Sequence, residues 1–560
     1  MPERVKNQKW WGWGAEGVAD FHYANKPAFA PFVREHIGLD LDTQPVVRHP
    51  PLSELGVPGS RAGEEDLAAL AAICGADHVH TDAEARVVHW AGRSIRDLIR
   101  TRRGDFRRVP DAVVYPGSED EVQRLLAAAS ERDWVVIPFG GGTSISGSLN
   151  APEDETRLVL SVDLGRMNRV LEVDEHSGLA HVQAGVLGPD LEAALGARGL
   201  TMGHVPDSFT YSTLGGWVAT RSSGMQSDRY GDIADMVRGL RLVRPTGVLV
   251  LRDLPSTSTG PSLREMVIGS EGRLGILTEV TIHVHRLPEK REVIAYMFPS
   301  WDDALRCMHA VARSDAHPSF TRVSDADETA FSLSTQKAAT SPLKKAARFG
   351  QAKMFDYLRL RGWDTGRMCI SYVCYEGTAR RTAEEKKVVA HLVGRHGGIS
   401  LGAGPGALYD QKKFDTPYIR DFLLDRNTAG DVSETAAPWS RLALVHANAR
   451  AAAQDAFARI GRQGFIMCHL SHSYHAGACL YFTFAFVMGD DGLAEYDQVK
   501  TAVQQSFLDS GATLSHHHAV GTEHQRWMAQ DVSEEGVGLM AGLFAVADPQ
   551  RRLNPGKILP

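Results

Sequence analysis

Three glycines in succession, Gly140-Gly141-Gly142, constrain this chain more than any other stretch. They follow an apolar run, Trp134-Val135-Val136-Ile137, that reads as a buried strand. The full segment is Pro138-Phe139-Gly140-Gly141-Gly142-Thr143-Ser144-Ile145-Ser146-Gly147. Consecutive glycines let the backbone turn several N–H groups toward one anion, and adjacent hydroxyls add donors. A pyrophosphate suits such a loop. Taken alone, the segment also reads as a plain glycine-rich turn between strands. It is not a Walker loop, because no Gly-Lys-Ser/Thr follows, and it lacks the third glycine and the opening helix of a Rossmann fingerprint.

Two further segments share its character. Pro206-Asp207-Ser208 leads to Ser212-Thr213-Leu214-Gly215-Gly216-Trp217, Thr220-Arg221-Ser222-Ser223-Gly224 and Arg229-Tyr230-Gly231-Asp232; later comes Gly269-Ser270-Glu271-Gly272-Arg273-Leu274-Gly275-Ile276-Leu277-Thr278. Both combine close-approach glycines with hydroxyl donors. Around them runs an alternating pattern. Ser118 and Glu121 form a capping box after Pro116-Gly117, and Val122, Leu125, Leu126 and Ala129 give one helical face. Short strands near Leu158–Val162, Arg169–Val173 and Leu179–Gln183 precede a helix from about Pro189, which makes an α+β domain.

In this order and spacing the three segments resemble the FAD-binding domain of the vanillyl-alcohol oxidase and p-cresol methylhydroxylase superfamily. The resemblance implies an α+β fold, with a two-subdomain FAD-binding domain and an α+β substrate (cap) domain. Pro138, Phe139, Gly140, Gly141, Gly142, Thr143 and Ser144, with Asp207, Ser208, Ser212 and Thr213, match its pyrophosphate-binding stretches. Gly216 is grouped with them as a cofactor-binding position. Thr220, Arg221, Ser222 and Ser223, then Glu271, Gly272, Leu274, Gly275 and Ile276, match stretches that hold the rest of the cofactor. No histidine or cysteine in the loops matches a covalent attachment point, so the FAD is expected to be non-covalent.

At 560 residues the chain exceeds what one core supports. The expected division is an N-terminal helical and extended region over 1–100, the FAD-binding domain over 101–290, the cap over 291–505, and a segment over 506–560 that returns to the flavin site. Within the cap, 331–362 reads as irregular, with Lys337, Lys344, Lys345, Arg348 and Lys353 crowded beside Phe349, Met354, Phe355, Tyr357 and Leu358. That mixture reads either as a solvated charged face or as an interfacial helix that docks on anionic bilayers. A net charge of −7, with no aromatic residues interleaved among basic ones, argues against a nucleic-acid partner. Six scattered cysteines without a C-x-x-C pair read as core thiols in a reducing compartment. No signal-peptide h-region and no apolar run near the roughly 18–20 residues of a membrane span are present, so a cytoplasmic location is expected, with peripheral membrane contact left open.

Four downstream segments bear on the chemistry: Tyr418-Ile419-Arg420-Asp421, Glu434-Thr435-Ala436-Ala437-Pro438-Trp439, Tyr474 to Phe482, and Ser515-His516-His517-His518. Consecutive histidines cannot all point one way. They are either solvated or structurally bonded groups, or proton carriers converging from a loop. No paired ligand spacing accompanies them, so no metal site is expected. Arg420 either pairs an aspartate or grips a phosphate through its fork of donors. Tyr481, within Leu480-Tyr481-Phe482-Thr483-Phe484-Ala485-Phe486, reads by default as a core tyrosine.

Together these segments resemble the alkyldihydroxyacetonephosphate synthase family. The likeness runs from Trp10-Trp11-Gly12-Trp13-Gly14 to the C-terminal end and is weakest between about 331 and 410. It implies a redox-neutral transferase whose substrates are acyl-dihydroxyacetone phosphate and a long-chain fatty alcohol, with the reaction passing through an adduct at flavin N5. By motif, Tyr481 matches the family's proton-transferring tyrosine, and His516, His517 and His518 match its essential histidine run. Arg420 matches the arginine that holds the substrate phosphate, and Arg322, in Thr321-Arg322-Val323, aligns with another arginine needed for activity. A homodimer stays open. The chain departs from the family at His475, where aspartate is usual, and at Ala519, where glycine is common. Its ends, including Ile558-Leu559-Pro560, show no peroxisomal signal, unlike the eukaryotic members, which leaves room for a prokaryotic relative with an altered substrate. The same scaffold also serves FAD-linked dehydrogenases of 2-hydroxy acids such as D-lactate or glycolate. A non-catalytic flavin- or lipid-binding protein is the third reading.

Overall fold

A computed structural model describes residues 7–18, 20–412 and 417–560, except the side chains of 343–345, 347 and 412. The chain forms two units. One holds residues 1–19, 49–287 and 514–560; the other holds 20–48 and 288–513.

The first unit is built on two sheets. Strands β1 (Val79–His80), β2 (Ala112–Val114), β3 (Val135–Phe139) and β4 (Val159–Asp163) lie in the order β1-β2-β4-β3. The pairings of β4 with β2 and β3 are parallel. The helix Glu119–Arg132 precedes β3 and buries Val122, Leu125, Leu126 and Ala129. Its start is fixed by Ser118, whose hydroxyl accepts the Glu121 N–H at 3.2 Å, while the Glu121 carboxylate accepts the Gly117 N–H at 2.7 Å. The second sheet is antiparallel. It joins β5 (Val170–Asp174), β6 (Leu179–Gln183), β8 (Val237–Arg244), β9 (Gly247–Leu251) and β10 (Ile276–His283) in the order β5-β6-β10-β8-β9, while β7 (Leu200–Thr201) pairs with β11 (His285–Arg286). The C-terminal segment extends the first sheet: Val136 N–H donates to the Arg552 carbonyl at 2.8 Å, and Asn554 N–H donates to the Val136 carbonyl at 2.9 Å.

The second unit carries one sheet with strands β12 (Lys290–Phe298), β13 (Phe320–Ser324), β14 (Cys369–Gly377), β15 (Ile399–Gly402), β16 (Thr428–Pro438), β17 (Gly464–Ser473) and β18 (Gly477–Val487). Their order is β15-β12-β14-β13-β17-β18-β16. The period of two in β18 separates its residues cleanly. Leu480, Phe482, Phe484 and Phe486 are fully buried. Helices Leu442–Arg459 and Gly492–Asp509 cover them, with Phe507 at 5.4 Å from Phe482 and Phe457 at 5.9 Å from Phe486, ring centre to ring centre. Tyr481, Thr483 and Ala485 take the opposite, half-buried face. Residues 20–48 join this unit through the helix Phe29–Ile37, which packs Phe29, Val33 and Ile37 against Phe422 and Leu423.

One sequence expectation is corrected. Within the stretch read as irregular, Pro342–Leu360 is a helix. Pro342 suits a helix start, Met354, Phe355 and Leu358 pack against the β12–β14 core, and Asp356 pairs with Lys353 and Arg359 at three-residue spacing. All six cysteines are buried and none forms a disulfide. Among the described residues no helix is long and apolar enough to cross a membrane.

Phe482→Ala should destabilise the second unit by about 3–5 kcal/mol, read as a lowered unfolding midpoint in denaturant. A change below about 1 kcal/mol would show that the phenylalanine face is not the packing core of this sheet.

Candidate active site

The glycine loop lies at the end of β3, in the first unit. Gly142 has φ of 68°, a left-handed conformation that glycine adopts without strain. A Cβ at Gly140 would meet the Thr213 hydroxyl, and one at Gly141 would overlap the Tyr211 carbonyl. These glycines are therefore required by close contact with the Pro206–Thr213 segment, a constraint that phosphate binding alone does not explain. Among the described residues the N–H groups of Gly141, Gly142 and Thr143 find no acceptor within the protein. Unspent donors on a loop braced by its neighbour suit an anionic group such as the FAD pyrophosphate.

The hydroxyls expected to bind cofactor divide into two sets. Ser212 Oγ accepts from Trp217 Nε1 at 2.7 Å and donates to the Ser208 carbonyl at 3.0 Å. Thr213 caps the helix Leu214–Thr220, accepting the Gly216 N–H at 3.2 Å, and Thr220 donates to the Gly216 carbonyl at 2.8 Å. Arg221 pairs with Glu265 at 3.0 Å. These side chains shape the segment. Ser223 Oγ, by contrast, is buried with no partner among the described residues. So is Nδ1 of His204, whose Nε2 lies 3.2 Å from Ser222 Oγ. Burial pushes the His204 imidazole down to about 4, so it stays neutral near neutral pH. Sequence reasoning passed over His204, although Gly203-His204 stands directly before the Pro206 segment.

The third glycine segment runs into β10, burying Leu274 and Ile276. Gly272 and Gly275 have φ of 80° and 149°. Glu271 is spent on the protein itself. Its Oε1 accepts the N–H groups of Val520 and Gly521 at 2.9 and 3.0 Å, and its Oε2 accepts the Ser148 hydroxyl at 2.6 Å. Asn554 Nδ2 donates to the carbonyls of Ser148 and Glu271 at 3.0 and 2.6 Å. Thus the carboxylate holds the turn that directly follows His516, His517 and His518. Those histidines occupy a loop and are half-buried. Nδ1 of His516 and Nδ1 of His517 are 2.9 Å apart, so one donates and the other accepts. The His518 ring sits 4.5 Å from His517, edge to face.

In the second unit the antiparallel register sets Tyr481 opposite Glu434 on β16 and opposite His469 on β17. Directly opposed residues share a face, so the three form a row. The His469 ring lies nearly parallel to that of Tyr481, at 19° and 4.8 Å. Arg322 donates to Glu328 Oε1 at 2.7 Å, and His469 Nδ1 lies 3.2 Å from the same oxygen. Burial pushes the Glu328 carboxyl up, but His469 and Arg322 beside it overcome that and hold it at about 2. Arg322, expected to hold substrate, is thus engaged by a carboxylate. Arg420 lies in the short helix Tyr418–Leu424 and is half-buried. Neither His469 nor Glu328 carries a local sequence signal; only the strand register reveals them.

Gly141→Val should yield protein without bound flavin, since the new side chain displaces the Tyr211 segment as well as filling the loop. The ratio of visible flavin absorbance to protein absorbance reads this directly. Full flavin occupancy in the variant would show that the loop has another task.

Residues 110–251 match the family model described as FAD binding domain, and residues 287–558 match that described as FAD linked oxidases, C-terminal domain. A relative from Dictyostelium discoideum, named alkyldihydroxyacetonephosphate synthase, is 38% identical over 487 residues, covering 86% of this chain and 79% of its own. A solved structure of an alkyldihydroxyacetonephosphate synthase aligns over 99% of both chains at 32% identity, with a TM-score of 0.84. A structure of p-cresol methylhydroxylase with substrate bound covers 88% of this chain and 96% of its own at 14% identity with a TM-score of 0.67, a likeness of fold alone. The fold class and the FAD cofactor expected from the motifs therefore hold. The chain belongs to the alkyldihydroxyacetonephosphate synthase family.

Proposed function

We propose that the protein exchanges the acyl group of an acyl-dihydroxyacetone phosphate for a long-chain alcohol. The carbon–oxygen bond to the fatty acid breaks, the alcohol oxygen bonds to the same carbon, and the alcohol proton leaves with the acid or to solvent. No electrons are gained or lost overall. Bound FAD would supply an electron-accepting ring for this chemistry. The observation that carries this reading is the placement of Tyr481: it sits half-buried on the face of β18 opposite the phenylalanines, stacked on His469 and across β16 from Glu434.

In this reading Tyr481 moves the proton next to the substrate ketone. His516 and His517, hydrogen-bonded to each other through their Nδ1 atoms, aid the departing carboxylate. Arg420 holds the phosphate through its fork of donors. Arg322 acts chiefly through Glu328 and His469, given its ion pair. The lipid nature of both substrates also gives the Pro342–Leu360 helix a role at a bilayer surface. Phe349, Tyr357 and Leu360 are exposed there beside Lys353 and Arg359, a pattern that inserts apolar groups while cations meet anionic headgroups. Lys344 and Lys345 lie on the same helix, but their side chains fall outside the described residues.

Tyr481→Phe should slow turnover of acyl-dihydroxyacetone phosphate with hexadecanol roughly a hundred- to ten-thousand-fold, while flavin content and melting temperature hold. Arg420→Lys should raise KM for the phosphorylated substrate. Near-normal turnover by Tyr481→Phe, together with flavin bleaching by D-lactate in the wild type, would replace this reading with hydroxy-acid oxidation. For the membrane role, Lys353→Glu combined with Arg359→Glu should weaken sedimentation with phosphatidylserine vesicles at low salt. Equal sedimentation of variant and wild type would remove the helix from any docking surface.

A further inference from the structure

Four strands of the second unit bring polar side chains into one row on the face of the sheet turned away from the phenylalanine core. Ser324 on β13 is opposite His469 on β17, His469 is opposite Tyr481 on β18, and Tyr481 is opposite Glu434 on β16. Tyr481 thus has an imidazole on one side and a carboxyl group on the other. The two flanks differ in how they are held. His469 is buried and lies flat against the phenol, and its Nδ1 edge is clamped: Glu328 Oε1 is 3.2 Å away and Arg322 is 3.0 Å away. Glu328 is presented by the start of the helix Ala326–Ser334, where Asp325 caps the chain by accepting the Glu328 N–H at 2.8 Å. Asp325 in turn accepts from the backbone of Cys468, the residue before His469, at 3.1 Å. Helix start, carboxylate and imidazole form one rigid assembly behind Tyr481.

We infer that His469, clamped by Glu328 and lying flat on Tyr481, is a positioning residue that readies the Tyr481 hydroxyl for proton transfer. The inference rests on the role proposed above for Tyr481. Two physical effects support it. A ring fixed against the phenol restricts the directions in which the hydroxyl can point, and preorganised geometry is what a proton-transfer group needs. In addition, the ionised Glu328 favours the protonated imidazole, and a cation against the phenol favours the phenolate. The groups around Tyr481 do not all act in that sense. Arg322, at the far edge of His469, disfavours a second positive charge there, Glu434 across β16 disfavours the phenolate, and Cys479, two residues before Tyr481 on its own face, is a buried thiol. His469 is the group that lies flat on the phenol at 4.8 Å, so its removal tests their coupling directly.

The test replaces His469 with Phe, which keeps an aromatic surface against Tyr481 but removes the charge and the bond to Glu328. His469→Gln is the second variant; it keeps a donor for Glu328 and loses the ring. In each background, and in the wild type, 3-fluorotyrosine is incorporated at position 481 in the flavin-loaded enzyme and titrated by fluorine NMR. Both variants should raise the phenol midpoint by about one pH unit. They should also lower kcat about tenfold with little change in KM, and move the rising limb of the kcat–pH profile to higher pH by the same amount. That direction follows because a phenolate base becomes available only above its midpoint. An unmoved phenol midpoint in both variants overturns the inference, whatever substrate the enzyme uses. A moved midpoint in an enzyme whose Tyr481→Phe variant turns over normally would instead uphold the coupling and remove Tyr481 from the proposed chemistry.

Discussion

The Glu271 carboxylate is the interaction on which the first unit's site depends. It joins residues far apart in the chain, Ser148 after the glycine loop and Val520 and Gly521 after the histidine run, through hydrogen bonds of 2.6–3.1 Å. Hydrogen bonds to a charged group contribute about 1.5–3 kcal/mol each, and here the donors include two backbone N–H groups. Backbone donors have no rotamer freedom, so the bond fixes the turn itself. Glu271 adopts φ of 48°, an uncommon conformation for a residue with a side chain, and the bonds it makes stabilise that geometry. Gly521 completes the arrangement, since a Cβ there would overlap the Ser146 carbonyl. The histidine loop is therefore held by its C-terminal flank against the same backbone that forms the glycine loop.

A second constraint, the twofold alternation along β18, orders the other unit. Phenylalanine at 482, 484 and 486 secures one face by burial, worth roughly 1.5–3 kcal/mol for each side chain. Register is then strongly specified, because a slip of one residue would expose every phenylalanine. The polar row that includes Tyr481 is set by the same register, and its buried members are held by partners such as the Glu328 carboxylate beside His469. Packing on one face thus positions chemistry on the other.

What was legible in the sequence followed the range of the interactions involved. The helix after Ser118, the strand before Gly140 and the strand Leu179–Gln183 are local, governed by caps and short periodicities, and they appear where the pattern puts them. The stretch over 331–362 misled because its apolar residues are sparse and its charges dense; Met354, Phe355 and Leu358 need the β12–β14 core before their spacing has meaning. The hydroxyls at Ser212, Thr213 and Thr220 were legible as donors, but not that their bonds would close within the segment. Tyr481 was legible as a motif residue, whereas its neighbours were not. Residues 324, 434, 469 and 481 meet only through pairing of four strands, which no local spacing encodes.

This difference bears on how one scaffold serves unlike reactions. The glycine loops answer a demand set by the cofactor: close backbone approach and free N–H donors, which depend little on what the flavin is used for. In the proposed reaction the sheet face of the second unit answers to the substrate. Adjacent strands lie about 4.8 Å apart, so one side chain from each strand builds a row of functional groups at near-contact spacing. An arginine engaged by a carboxylate, an imidazole against a phenol and a second carboxyl beyond it form a set suited to moving protons. The phenylalanine face and the apolar clusters around Tyr372 and Phe465 on the other face together fix the register in which that row stands. In the proposed reaction such a row lets a flavin fold shared with oxidases support chemistry without net electron transfer.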